Sequence, residues 1–288
     1  LAIGMTLVTA ASGGQDISVG AAIAIAGSVI LRVLCGGNAR PETLQAPIIV
    51  AFLAACVVAM LFGAFNGVLV AYFKIQPMIA TLILYTAGRS IAAWINNNEL
   101  PVISDPKFAY FGGFIPGIPI PTPCFIAIAC MIVIAIVLKV TNLRLYTQSV
   151  GINQSSSKLN GLNPELIKVM AFVILGLCVA VAGLIKVSRV SSINYSVIAK
   201  DIEMDAILAV ALGGNALSGG KFNMAASIIG AFVIQCLTTT LYKFGVSSTA
   251  LPAYKAVVVI LLVVVSAPTV REYFNKITQK MKLSKEVA

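Results

Sequence analysis

The chain has 288 residues, 59% hydrophobic and 10% charged, with a net charge of +10 and mean hydropathy of +0.98. A soluble globular domain has roughly 25% charged and about 45–50% apolar residues, so most of this surface must have lipid as its solvent. Histidine is absent and only ten acids are present, which argues against a membrane-embedded enzyme and against proton-coupled transport.

In chain order, apolar runs near the length of about 20 residues that a bilayer demands predict nine helices. The first, 1–12, is apolar from Leu1 with no basic leader before it, and reads as a truncated span with one more expected upstream. It ends at Ser12-Gly13-Gly14-Gln15-Asp16-Ile17-Ser18-Val19-Gly20, and the second helix covers 18–34. Helices over 47–72 and 78–95 follow. Next come Asn96, Asn97 and Asn98, then Pro101, Pro106, Pro116, Pro119, Pro121 and Pro123, a density that forbids a regular helix. Phe108, Tyr110, Phe111 and Phe114 suit the membrane interface there, in a plain connector or in a landing surface for an outer partner.

After a helix over 123–140, the segment 146–163 reads as a short polar surface helix between two spans. It opens after Gly151-Ile152-Asn153, with Asn153 as its cap and Gly161 as a left-handed stop. Helices over 166–186 and 205–214 lead to a second break, Gly213-Gly214-Asn215-Ala216-Leu217-Ser218-Gly219-Gly220. Helices over 223–242 and 252–267 complete a transmembrane domain, 1–270, followed by a basic tail, 271–288. The fold class is an all-α membrane protein, a polytopic bundle of about nine to ten spans. Its two glycine-broken helices, each preceding a small-residue helix, fit inverted repeats.

With the tail in the cytoplasm, Lys74, Lys139, Arg144, Lys158, Lys168 and Lys221 join it on the inner side. Arg32, Arg40, Lys107, Lys186, Arg189, Lys200 and Lys243 fall outside, and the bias favours this orientation. Such a distribution speaks for topology and acidic-lipid contact, not nucleic acid. The cysteines form no CxxC pair and read as core or lipid-facing residues, with no metal site. Asp16 beside a helix start is either a cap, with Ser18, or a contact to a passing solute. Arg89 either faces a cavity or partner or snorkels to the outer interface. Asn66 and Gln235 either hydrogen-bond across helices or line a pathway.

Four stretches resemble, in order, ABC transporter permeases of the ribose/xylose/galactose type. Gly13, Gly14, Asp16, Ser18 and Gly20 match that family's Gly-Gly-x-Asp-Leu-Ser-Val-Gly signature. Gly151, Asn153, Leu159, Gly161 and Leu162 match its coupling loop, about 146–163, with Ser156 and Ser157 where two alanines are usual, followed by Lys158. Asp205, in Glu203-Met204-Asp205-Ala206-Ile207, matches the lead-in to a second signature carried by Gly213, Gly214, Ser218, Gly219 and Gly220.

The resemblance implies a multi-pass subunit of the bacterial plasma (inner) membrane with a cytoplasmic C-terminus. It would import a monosaccharide of the ribose, xylose, galactose or galactofuranose class, delivered by an extracytoplasmic sugar-binding protein. A second permease subunit, identical or not, would complete the pathway. An ABC ATP-binding subunit would grip the coupling loop and hold ATP and Mg, leaving this chain without catalytic residues or a bound cofactor. No Walker-type phosphate loop occurs in the sequence. A branched-chain amino-acid or nucleoside permease of the same type is the alternative, followed by a stand-alone secondary transporter.

Overall fold

In lipid, a backbone without water must satisfy its own polar groups, and runs this apolar do so as helices. The computed structural model describes residues 1–266 apart from 42, 116 and 118, with no side-chain placement at 259 and 261–266. All nine predicted helices form: α1 (Ala2–Ser12), α2 (Val19–Cys35), α3 (Ile48–Ala71), α4 (Pro77–Ile95), α6 (Thr122–Val140), α9 (Pro164–Val190), α10 (Ile202–Leu212), α11 (Met224–Lys243) and α12 (Leu251–Ser266). Three short helices lie between them: α5 (Pro106–Ala109), α7 (Leu143–Ile152) and α8 (Gln154–Leu159). The basic tail, 271–288, lies outside the described residues.

Among the described residues, five helices are long and apolar enough to cross a membrane: α3, α4, α6, α9 and α11. The count of nine to ten spans does not follow from helix length. With 11 residues each, α1 and α10 are about 16 Å long, roughly half the thickness of a hydrocarbon core. Both give way to irregular chain at a glycine.

The core is built on small residues. Ala55, Ala59, Gly63 and Gly67 recur every fourth residue along α3 and are all buried, the last three against α9. A Cβ added at Gly176 of α9 would stand 2.5 Å from the Ala59 carbonyl oxygen. Such stripes let helices approach to backbone contact in lipid, where dispersion replaces the hydrophobic effect as the driving force. Beside this pair, α1 is buried from Ala2 to Ala11 against α9, α7, α10 and α11, and α2 from Val19 to Ser28 against α4, α3 and α9. At the periphery α6 buries only Ile134 and Leu138 and leaves Ile128, Ile132 and Ile136 exposed, as a lipid-facing helix would.

At the end remote from the 146–163 loop, the proline-rich segment is more ordered than its composition predicts. Asp105 caps the single turn of α5 by accepting from the Lys107 N–H (2.8 Å). Val102 bridges to Ser192, and the Ile103 N–H donates to Ser191 O (2.8 Å), which staples the segment to the end of α9. Phe108 is fully buried rather than interfacial, whereas Phe114 is exposed.

Candidate functional site

The first glycine break is a climb in irregular chain, residues 13–18. Gly13 ends α1 in a left-handed conformation (φ 67°), its N–H on Thr9 O (3.0 Å). The chain then rises alongside α4: Gly14 lies against the Pro77 ring, the Ile17 N–H donates to Thr81 Oγ1 (3.2 Å), and Ala21 packs on Gly88. From Pro77 to Gly88 the helix rises about 16 Å, and over that rise the chain runs from Gly14 through the irregular stretch to Ser18 and into the first turn of α2.

Irregular backbone inside a bundle has no helical partners and must find others. Asp16 supplies one, its Oδ1 accepting from the Ser18 N–H (2.7 Å) and the Ser18 hydroxyl (2.6 Å). Asn66 on α3 donates through Nδ2 to Ser18 Oγ (3.0 Å). Asp16, Ser18 and Asn66 are all buried. Asp16 therefore organises the break. Ser18 precedes α2 without capping it through its side chain, because its oxygen is engaged by Asp16 and Asn66. Gly20 starts α2 against the other broken helix, where a Cβ would stand 2.7 Å from Ala199 O.

The second break is folded by Asn215. Its Oδ1 accepts from the Asn223 N–H (2.6 Å), and its Nδ2 donates to Ser227 Oγ (2.8 Å) and Asn223 O (3.2 Å). Ser227 in turn accepts from Thr6 Oγ1 (2.7 Å), so the break at the head of α11 is tied to α1. Asn223 caps α11 through the Ala226 N–H (3.2 Å). Gly213 is pressed on α11, where a Cβ would lie 2.7 Å from the Ala226 carbonyl carbon.

The two breaks, about 200 positions apart in sequence, touch. The Gly220 N–H donates to Ala10 O (3.0 Å), and Gln15 Nε2 donates to Leu217 O (3.2 Å). A Cβ on Gly13 would stand 2.7 Å from Ser218 O, and Gly219 sits on the Gly13 backbone. Gly151 closes the junction from the surface loop. A Cβ there would run into the Ala10 carbonyl oxygen and stand 2.5 Å from Gly220 N. The loop thus rests, backbone on backbone, on the contact between the two breaks.

The loop itself is two helices. Its first half, expected as loop, is α7: Leu143, Thr147 and Val150 recur at helical spacing, and their buried face seats it on α1 and α9. Asn153 caps α8, its Oδ1 accepting from the Ser156 N–H (2.9 Å), and Gly161 stops it left-handed at φ 79°. Ser157 is buried and donates to Asn153 O (2.9 Å), while Leu162 packs on the core. Lys168 of α9 donates to Gln154 Oε1 (2.9 Å), tying α8 to the bundle. Ser156 and Lys158 face outward, as do two apolar residues, Ile152 at 75% and Leu159 at 90% exposure.

Three sequence-predicted residues lie elsewhere. Arg89 has partners inside the bundle: its Nη1 donates to Tyr195 O (2.6 Å) and Ile198 O (3.0 Å), clasping the segment that leads into α10. Asp205 pairs with Lys255 of α12 through both carboxylate oxygens (2.8 and 2.9 Å). Gln235 sits on an exposed face of α11, and among the described residues its partner is Thr239 of the same helix (3.4 Å), not a residue of another helix. Sequence reasoning missed Thr6, Gln15, Asn215 and Ser227. The available signal was a polar side chain within, or at the edge of, an apolar run.

The family described as branched-chain amino acid transport system / permease component matches residues 1–267. The galactofuranose transporter permease protein of Escherichia coli is 38% identical over 93% of this chain and 75% of its own length. The fructose import permease protein of Bifidobacterium longum is 35% identical over 98% of this chain and 78% of its own. The ribose import permease protein of Escherichia coli is 34% identical, covering 92% and 80%. No solved structure matches.

Proposed function

We propose, because this chain belongs to the branched-chain amino acid transport system / permease component family, that it is the membrane-spanning subunit of an ATP-driven sugar importer. A monosaccharide is favoured over an amino acid or nucleoside because the similar permeases are named for galactofuranose, fructose and ribose.

One observation carries the coupled mechanism. The loop that exposes Leu159 and Ile152 to a soluble partner has Gly151 against Ala10 O and Gly220 N, at the meeting point of both breaks. In this reading an ATP-binding subunit, holding ATP and Mg, seats on α8. Ser156, Lys158 and Leu159 form the docking surface, while Asn153, Ser157, Gly161 and Leu162 hold its shape. Closure of that subunit displaces α7 and α8, and the displacement reaches both broken helices directly. A second permease subunit completes the pathway, and an extracytoplasmic binding protein hands the sugar to the opposite end. The C-terminus is then on the ATPase side, in the cytoplasm of a bacterial cell.

The test is purification from native membranes in mild detergent, with mass spectrometry of what co-elutes, then ATP-driven uptake of labelled monosaccharides into proteoliposomes. Co-elution of an ATP-binding subunit is expected, as is its loss in Leu159→Asp without loss of the folded permease. Uptake by the chain alone, driven by an ion gradient, would overturn the reading in favour of a secondary carrier.

A further inference from the structure

Beside the loop, at the same end of the bundle, lies a cavity of about 510 Å³. It is bounded by the end of α3, the start of α4, α8 and the first turns of α9. Its charged lining is Lys74, Lys158 and Lys168 against a single acid, Glu165, with Gln76 and Gln154 between them. The N-termini of α4 and α9, at Pro77 and Glu165, also border it and add partial positive charge. Among the described residues, none of these lysines forms an ion pair within 4 Å. An excess of positive charge around a polar hollow is a demand for an anion.

Neighbouring residues indicate which anion. Tyr72 and Phe73, directly before Lys74, are exposed at 57% and 68%. An exposed aromatic pair at the end of an apolar helix marks the headgroup level of a bilayer. Val70, Ala71 and Ile75 give the cavity an apolar wall on the α3 side, beside its lysines. A phosphate attached to an apolar body fits that combination better than an acidic protein segment, which would bring no apolar body to fill the wall. We propose that this cavity is a phosphate-binding site occupied by the headgroup of an acidic phospholipid. The occupant touches α8 through Lys158 and the bundle through Lys74 and Lys168, so it holds the docking helix to the membrane domain.

The test is native mass spectrometry of the purified chain in detergent, titrated with phosphatidylglycerol or phosphatidylcholine. It requires neither sugar nor ATP, so its outcome is separate from that of the importer reading. Phosphatidylglycerol is expected to bind preferentially, with affinity falling about fivefold in Lys74→Gln and again in Lys168→Gln. Lys107→Gln, in the segment at the opposite end, is expected to change nothing. Glu165→Gln is expected to strengthen binding, so the site is tested by a gain even if a lysine variant folds poorly. Inorganic phosphate that competes as well as the lipid, mole for mole, would keep the anion site and reassign its source to free phosphate. Equal binding of the two lipids, or an equal loss in Lys107→Gln, would overturn the site. If Lys74→Gln weakened association with an ATP-binding subunit and left lipid binding intact, the cavity would belong to the protein partner and the lipid assignment would fail.

Discussion

Gly151 and Gly161 border the same small helix, and replacing each with alanine should have very different consequences. At Gly151 the new methyl group runs into the Ala10 carbonyl oxygen and lies 2.5 Å from Gly220 N. Both obstacles are backbone, so no side-chain rotation relieves them, and α7 must retreat from α1. Overpacking of this kind costs about 1–3 kcal/mol, and loss of the Gly220 N–H to Ala10 O bond would add about 1–3 kcal/mol for the buried groups left unpaired. The expected destabilisation is therefore about 2–6 kcal/mol. At Gly161 nothing lies within 4 Å of an added Cβ, and the only cost is the left-handed φ of 79°, about 1–2 kcal/mol. Denaturant titration of the two variants in matched detergent micelles, with ATP-driven uptake measured in parallel, separates them. Gly151→Ala should be the less stable and should lose uptake, whereas Gly161→Ala should keep most of its stability. Equal effects of the two substitutions would refute the backbone contact as the seat of the loop.

Asp205→Asn and Lys255→Met should each cost about 1–3 kcal/mol, because each leaves a half-buried charge or carboxamide without its partner. The double variant should recover part of the loss, and strictly additive losses in the unfolding cycle would show that the pair does not join α10 to α12. Asn215→Ala should destabilise by about 1–3 kcal/mol by orphaning the Asn223 N–H and Ser227, more than Thr6→Val does, as read by thermal unfolding in detergent. Arg89→Gln should raise amide exchange across 195–201 while leaving α3 and α9 protected, since the clasp on Tyr195 O and Ile198 O is local. Unchanged exchange there would remove Arg89 as the restraint on that segment.

Apolar run length made every long helix legible, because a chain in lipid has few alternatives to helix. The N-cap at Asn153 and the stop at Gly161 were legible for a similar reason, since each is a local requirement of one residue's chemistry. Helix α7 was not. Its polar residues obscured the spacing of Leu143, Thr147 and Val150, which matters only once α1 and α9 are there to receive it. The span count was not legible either, because α1 and α2 are apolar but, at 11 and 17 residues, short of a full span, and irregular chain such as 13–18 adds length that hydropathy does not register. The junction is the deepest omission. Gly13, Gly151 and Gly220 were visible as motifs, but nothing local says that they touch, and the small residues that permit contact look the same whether or not a partner arrives. Arg89 shows a different limit: its partners are carbonyl oxygens, which every residue carries and no sequence pattern reveals.

The seat of Gly151 has a mechanical consequence. Where two proteins or two helices meet through side chains, rotamers act as springs, and a small push at one face is absorbed before it reaches the other. At this junction the Ala10 carbonyl, the Gly220 amide and the Gly151 backbone lie in direct contact, with no side-chain torsion between them. A displacement of α8 by a fraction of an ångström would therefore arrive almost undiminished at the ends of two unrelated helices at once. Such a linkage would behave as a rigid pushrod, and Gly151 is glycine there because an added atom would force the backbones apart.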